Sequence, residues 1–386
     1  MVDFSLSEND ERILDAMREQ SRVVRRYARY YDDNENELPP DALPEVVNFR
    51  SPYKDVEFEE GIDTPRHVLH VLVSAIQAWG DYGVLMKRIG EGLGNGVLTA
   101  AGTDEQRARW QRCTLAIAMT EPGCGSDPKS IQTTAVRDGD EWVLNGEKIF
   151  VTAGCRAEGV VVAATVDKNL GYKGIKPFVV MKGMPGFEVS HREKKMGIRA
   201  DDTATLLLNN VRVPGDHLLG ACDDSAAGFR AIMTALNRNR PVVGVAGVGI
   251  ASAALDFTRE KLKEEGIEIV WGVGKQGRSA VQQELIEIEA DIEAATLGLL
   301  HAAWVSGGNE WKARPTSIAK AKAGEVARTA TQRCLALLGG LGLSREYLVE
   351  KWFRDARITD LYGGTGEIQR LIIARDILGY SSAELP

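Results

Sequence analysis

Cysteine is scarce and scattered in this 386-residue chain: Cys113, Cys124, Cys155, Cys222 and Cys334 are odd in number and include no CxxC pair. Disulfide frameworks and thiolate zinc sites need closely spaced sets, so both are excluded, and reduced structural thiols are expected. No unbroken run of 18 apolar residues occurs, so no membrane-spanning helix is expected. Positive charge is in the minority, with 47 Lys plus Arg against 55 Asp plus Glu and a net charge of −8. A nucleic-acid partner needs a clustered basic face, and the balance argues against one. The opening Met1-Val2-Asp3-Phe4-Ser5 has no basic-then-apolar leader, so the expected compartment is the cytoplasm.

What is present suits a globular protein of two or three domains, with 44% hydrophobic residues over a length beyond one small core. Residues 7 to 31 read as a helix capped by Ser7 with Asp10, and Ile13, Met17, Val24 and Ala28 recur near helical spacing. Its basic cluster Arg22, Arg25, Arg26 and Arg29 reads as a solvated face. A second helical region runs from Thr64 to Leu98 and ends in the glycine-rich Gly90 to Gly96. His67 and His70 lie one turn apart there, but no third ligand follows at metal spacing. Beyond residue 116 strand-like runs take over, at Ile131 to Val136, Glu141 to Leu144, Ile149 to Thr152, Gly159 to Val166, Phe178 to Lys182, Phe187 to His191 and Ala204 to Val213. Asp138-Gly139 and Asn145-Gly146 have the composition of tight hairpins. From Gly228 helices return, with Leu285, Ile288, Ile292, Ala295 and Leu299, then Ala319, Ala323, Val326 and Ala330, at bundle spacing. The expected architecture is α+β and mostly helical. It comprises an N-terminal helical domain (1–115), a middle β-barrel domain (116–222) and a C-terminal four-helix bundle (223–386).

Two motifs carry more. Ala118-Met119-Thr120-Glu121-Pro122-Gly123-Cys124-Gly125-Ser126-Asp127 taken alone reads as a turn with Ser126 as its cap. Followed by the strand Ile149-Phe150-Val151-Thr152, it resembles the flavin loop of the acyl-CoA dehydrogenase family. Arg354-Asp355-Ala356-Arg357 and then Leu361-Tyr362-Gly363-Gly364-Thr365-Gly366-Glu367-Ile368-Gln369-Arg370 resemble the same family's terminal signature. The resemblance implies a helix, barrel and bundle order and FAD as cofactor. It places Met119, Thr120, Gly125, Ser126, Phe150 and Thr152 around the flavin, with Thr365 and Glu367 meeting it from the bundle side. Phe150 stands where many relatives stack a tryptophan. Ser126, Arg240, Tyr362, Gly363 and Gly364 fall on the implied substrate side, facing an acyl-CoA or other acyl thioester.

Dehydrogenation of a thioester removes a proton from the α-carbon and a hydride from the β-carbon, so it needs a base as well as a flavin. Where the family usually carries a glutamate base, this chain has Gly363. Relatives similar to the long-chain and isovaleryl enzymes seat the base elsewhere, and that position is Asn239, whose amide is not usefully basic. Glu91 is the remaining candidate, because desolvation beside a substrate raises a carboxyl's pKa, although a solvent-facing carboxylate is the plainer reading. Lys87 and Arg88 read as helix-end cations, or as partners of an acidic acyl group. Glu268 stands roughly where relatives send an arginine to a neighbouring subunit's FAD, with Lys275 and Arg278 as substitutes, and Ala336 matches the family's glutamine before Gly339-Gly340.

Three readings stay open on sequence: a dehydrogenase with an unusual base, a flavoprotein of this fold performing elimination or oxygenation, and a non-catalytic subunit paired with an active homologue. The implied partners are an electron-transfer flavoprotein or similar acceptor, and further copies in a homotetramer or dimer, or a heteromer.

Overall fold

In the computed structural model Ser7 opens helix α1 (Glu8–Arg26) through a reciprocal cap, its Oγ accepting from Asp10 N at 3.1 Å while Asp10 accepts from Ser7 N at 3.0 Å. Such a cap contributes about 1 kcal/mol. The structure describes residues 6–35, 37, 64–88, 92–220, 226–306, 313–381 and 384–385. Helices α2 (Ala28–Asp33), α3 (Arg66–Arg88), α4 (Leu93–Ala101) and α5 (Asp104–Trp110) follow α1. Strands β1 (Leu115–Ala118), β2 (Thr134–Asp138), β3 (Glu141–Thr152), β4 (Gly159–Thr165), β5 (Ile175–Met181), β6 (Phe187–Arg192) and β7 (Thr203–Pro214) come next. The chain then forms α6 (Ala227–Glu264), α7 (Ala280–Ser306), α8 (Ala313–Leu338), α9 (Gly340–Leu343), α10 (Val349–Thr359) and α11 (Gly366–Leu378).

These elements fall into two units, Met1–Met86 with Met196–Ala200 and Asn239–Pro386, and Lys87–Lys195 with Asp201–Arg238. In the helical unit the bundle's predicted stripes are buried together: Leu285, Ile288, Ile292, Ala295 and Leu299 on α7 share one core with Ala319, Ala323, Val326 and Ala330 on α8. Gly249 lets α6 close on α3, because a Cβ there would overlap Ala75 O. Helix α3 is interrupted at Asp81, whose φ of −168° and ψ of 118° are extended. The interruption is held by a buried charge cluster: Lys351 Nζ lies 2.6 Å from Asp81 Oδ2 and 2.5 Å from Asp355 Oδ2, while Asp81 Oδ1 accepts from Val84 N at 2.8 Å.

The second unit is a curled seven-stranded sheet in the order β1-β4-β2-β3-β7-β6, with β5 on the other side of β4. Strand β4 is buried on both faces. Val160, Val162 and Ala164 enter one core, and Val161 and Ala163 the other. That explains its unbroken apolar sequence, as expected of a central strand.

Three expectations are corrected here. Asn145-Gly146 is no hairpin: β3 runs through it, opposed by the equally long β7, and at the register shift between Leu144 and Gly146 the extra residue lies on β7, between Leu208 and Val211. The glycine-rich stretch also opens a helix, since Gly92 is the N-cap of α4, which runs on to Ala101. Ser126 caps nothing; Asp127 does, accepting from Lys129 N at 3.1 Å in the short turn Pro128–Ser130. Two helices, Arg66–Met86 and Ala227–Glu264, are long and apolar enough on average to cross a membrane, although no unbroken run announces them. Their apolar windows are 61% and 78% buried inside the protein, which accounts for their composition as core helices.

Candidate active site

Strand β1 delivers Met119 and Thr120 into a turn closed by a two-way bridge, Glu121 N to Cys124 O at 2.9 Å and Cys124 N to Glu121 O at 3.1 Å. Behind it the buried Glu121 carboxylate accepts from Lys148 Nζ at 2.6 Å, Gln132 N at 2.6 Å and Thr133 N at 3.0 Å. Lys148 Nζ also donates to Met119 O at 3.1 Å, and Ile149 N to Thr120 O at 2.9 Å. Burial pushes the Glu121 carboxyl up, but the Lys148 ammonium and these hydrogen bonds outweigh it, so the group lies below the usual carboxylate range. Burial holds the Lys148 ammonium below the ordinary lysine range, with Glu121 opposing.

Past Lys148 the β3–β7 register breaks again before Val151. Phe150 and Ala153 take φ values of +56° and +63°, left-handed conformations that cost a side-chain-bearing residue on the order of 1 kcal/mol or more. Their retainers are visible. Ala153 N donates to Asp202 O at 2.9 Å and Cys155 N to Asp202 Oδ2 at 2.8 Å, while Arg156 pairs with Asp202 and, at 2.8 Å, with Asp201. Burial pushes the Asp201 carboxyl up to about 6, with Arg156 opposing. The result is a ledge on which Phe150 stands 61% exposed beside the half-buried Thr152.

This unit's donor set fits a flavin. The hydroxyls of Thr120, Ser126 and Thr152 are exposed or half-buried on a backbone braced from behind. A Cβ at Gly123 would meet nothing within 4 Å, and one at Gly125 only Thr120 Cγ2 at 3.9 Å, so the loop leaves open the space a planar ring needs.

The helical unit holds the second group. After α10, Gly363 and Gly364 turn the chain with φ of +68° and +89°, and Gly366 N donates to Asp360 O at 3.0 Å. Thr365 caps α11, its Oγ1 accepting from Ile368 N at 3.2 Å. Glu367 is exposed in the first turn, where a backbone N–H and the Thr365 hydroxyl hold its carboxyl below the usual range. Tyr362 donates its hydroxyl to that of Tyr82 at 2.6 Å. A Cβ at Gly363 would face Val243 Cγ2 at 3.4 Å, an ordinary contact. Arg240 is only 6% exposed on α6, its Nε has no hydrogen-bond partner, and no carboxylate pairs with it among the described residues. Burial lowers its pKa.

The sequence-predicted residues therefore fall in two sets: Met119, Thr120, Gly125, Ser126, Phe150 and Thr152 in the sheet unit, and Arg240, Tyr362, Gly363, Gly364, Thr365 and Glu367 in the helical unit. Glu91 lies outside the described residues, as do the side chains of Asn239, Lys87 and Arg88. Glu268 is exposed and pairs with Lys263 at 3.2 Å. Lys275 is exposed, and Arg278 Nε donates to Val270 O at 3.4 Å. Ala336 lines an open groove of about 550 Å³ with Arg333 and Glu284. Among the described residues no three His, Cys, Asp or Glu side chains gather as a metal site. Sequence reasoning missed Lys148 and Lys320, both fully buried.

The chain matches the family models described as acyl-CoA dehydrogenase, middle domain, over residues 116–211 and acyl-CoA dehydrogenase, C-terminal domain, over residues 226–378. It is 35% identical over 302 residues to the mitochondrial short-chain specific acyl-CoA dehydrogenase of Bos taurus, covering 77% of this chain and 72% of that one. It is also 35% identical over 285 residues to acryloyl-CoA reductase (NADH) of Anaerotignum propionicum, covering 72% and 71%. The solved structure of butyryl-CoA dehydrogenase from Megasphaera elsdenii matches with a TM-score of 0.82 at 27% identity, over 98% of this chain and 100% of that one. The chain belongs to the acyl-CoA dehydrogenase family and is an FAD-dependent, acyl-CoA dehydrogenase-like oxidoreductase.

Proposed function

We propose that this chain acts on an acyl-CoA thioester without a carboxylate base at position 363. The observation that carries the reading is the turn at Tyr362–Gly366. Its cap and its paired left-handed glycines are fully built, and Gly363, where the resemblance implies the base, carries no side chain. FAD, when bound, supplies the hydride acceptor. Thr120, Ser126 and Thr152 would hold it by hydrogen bonds, and Phe150 would stack on it. Arg240 orients the thioester or its phosphorylated tail, because a buried guanidinium with no carboxylate is stabilised by an anionic or strongly polar ligand. The α-proton passes to another group, for which Glu91 is the sequence candidate, or the substrate carries a leaving group that makes oxidation unnecessary. Passage of electrons to an electron-transfer flavoprotein, and assembly as a dimer or tetramer, belong to the same proposal.

Gly363→Glu tests it. The new side chain enters a left-handed position, a penalty of about 1 kcal/mol that the turn can absorb. It faces Val243 at ordinary contact distance. The expected outcome is at least a tenfold gain in the rate at which butyryl-CoA bleaches the bound flavin. An unchanged rate in a protein that still holds flavin would show that the turn does not face a thioester.

A further inference from the structure

Lys320 is fully buried on α8, and among the described residues no carboxylate lies within ion-pair distance of its ammonium. Its Nζ donates instead to two main-chain carbonyls, Gly364 O at 2.7 Å and Asp360 O at 3.3 Å. Gln369, buried on α11, reaches the same place: its Nε2 donates to Gly364 O at 3.1 Å and Gly363 O at 3.4 Å. Side chains from two helices thus converge on the carbonyls of one five-residue turn.

A buried ammonium held in no ion pair is costly even with the Asp360 carboxylate in its field, and an apolar side chain of equal length would fill this space at lower free energy. What the ammonium adds is a hold on carbonyl dipoles. Two consecutive residues at φ +68° and +89° persist where the surroundings over-determine them, and these donors do so from below. Tyr362 enters this turn, and Thr365 and Glu367 leave it.

We infer that Lys320, with Gln369 as second donor, is a positioning residue that clamps the Asp360–Gly364 carbonyls and so fixes where Gly363 presents its backbone to the substrate. The inference rests on the reading of this turn given under Proposed function.

Hydrogen exchange read by mass spectrometry on the FAD-loaded protein tests the clamp directly. In Lys320→Met, amides of residues 360–366 should exchange at least tenfold faster, with those of α7 unchanged. Unchanged exchange in the turn, or an equal rise throughout the helical unit, would make Lys320 a packing residue and overturn the inference. A butyryl-CoA titration followed through the flavin spectrum reads the positioning: Kd should rise at least tenfold at unchanged flavin content, and an unaltered Kd beside a loosened turn would overturn that part. If butyryl-CoA leaves the wild-type spectrum untouched, the functional reading fails while the exchange result still decides the clamp. Should Lys320→Met not fold, Gln369→Leu, which removes one donor only, should give about threefold changes in the same two readouts, and none would overturn the inference.

Discussion

Lys148 and Glu121 are the residues on which the Thr120–Ser126 loop leans, and their pairing sets an asymmetric expectation. Removing one partner leaves a buried charge alone, which costs about 3–5 kcal/mol. Lys148→Met should lower urea stability by that amount and strip the flavin, read by absorbance after gel filtration. Lys148→Met combined with Glu121→Gln should recover part of the stability, because no lone charge remains. Lys320 gives a pH signature. Burial pushes its ammonium down to about 8, with Asp360 and Glu367 opposing and Arg240 adding to the fall. Between pH 8 and its ordinary value near 10.5 the unfolded chain binds more protons, so stability rises with pH across that window. The burden relieved is on the order of 3 kcal/mol. Urea midpoints of wild type and Lys320→Met at pH 7.5 and 10 should therefore shift in favour of wild type at the higher pH. Neither lysine's burial could be read as such from sequence, since charge is usually solvated and the compensating carbonyls and carboxylates come from residues far along the chain.

At the level of elements, helices and bundle stripes were legible because their periodicity is local: α7 and α8 bury the very positions that repeat. The strands were legible as runs but not in their joints. Asn145-Gly146 has the composition of a hairpin, yet β7 pairs with β3 on both sides of it, and a 12-residue partner overrides a dipeptide. The glycines at 92 and 94 sit at the start of α4 because of a close approach. They lie against the Leu115 and Ala116 backbone of β1, where a Cβ would collide. The break at Phe150 is likewise set by its neighbours and not by its own preference. Phe150→Gly should relieve the left-handed strain and stabilise the flavin-free protein by about 1 kcal/mol, a rise of about 1 °C in melting temperature for a chain of this length. It should also weaken flavin retention. A lower melting temperature would show that the ring, though exposed, packs.

For the whole molecule, family membership was readable from two short motifs, while the division into units was not. Residues 196–200 belong with the helical unit although strands flank them on both sides. Ile198, at φ +50°, donates its N–H to Asp355 Oδ1 at 2.6 Å, a bond across 157 positions that no local pattern announces. Of the candidate site, the glycine turn at 363–364 was legible as a turn because glycine marks positive φ, whereas a base must be found by proximity, which no local pattern carries. Stoichiometry separates the remaining readings: purified alone, the protein should carry close to one FAD per chain. Colourless protein that acquires flavin only with a second polypeptide would favour a partner subunit, the reading for which Glu268 and Ala336 speak.

The paired glycines at 363 and 364 also bear on how such a sequence drifts. Because the backbone there already occupies a conformation that only glycine adopts freely, any larger residue at 363 must be kept by selection for what its side chain does. A side chain placed at 363 would have to contribute more through its chemistry than it costs the turn.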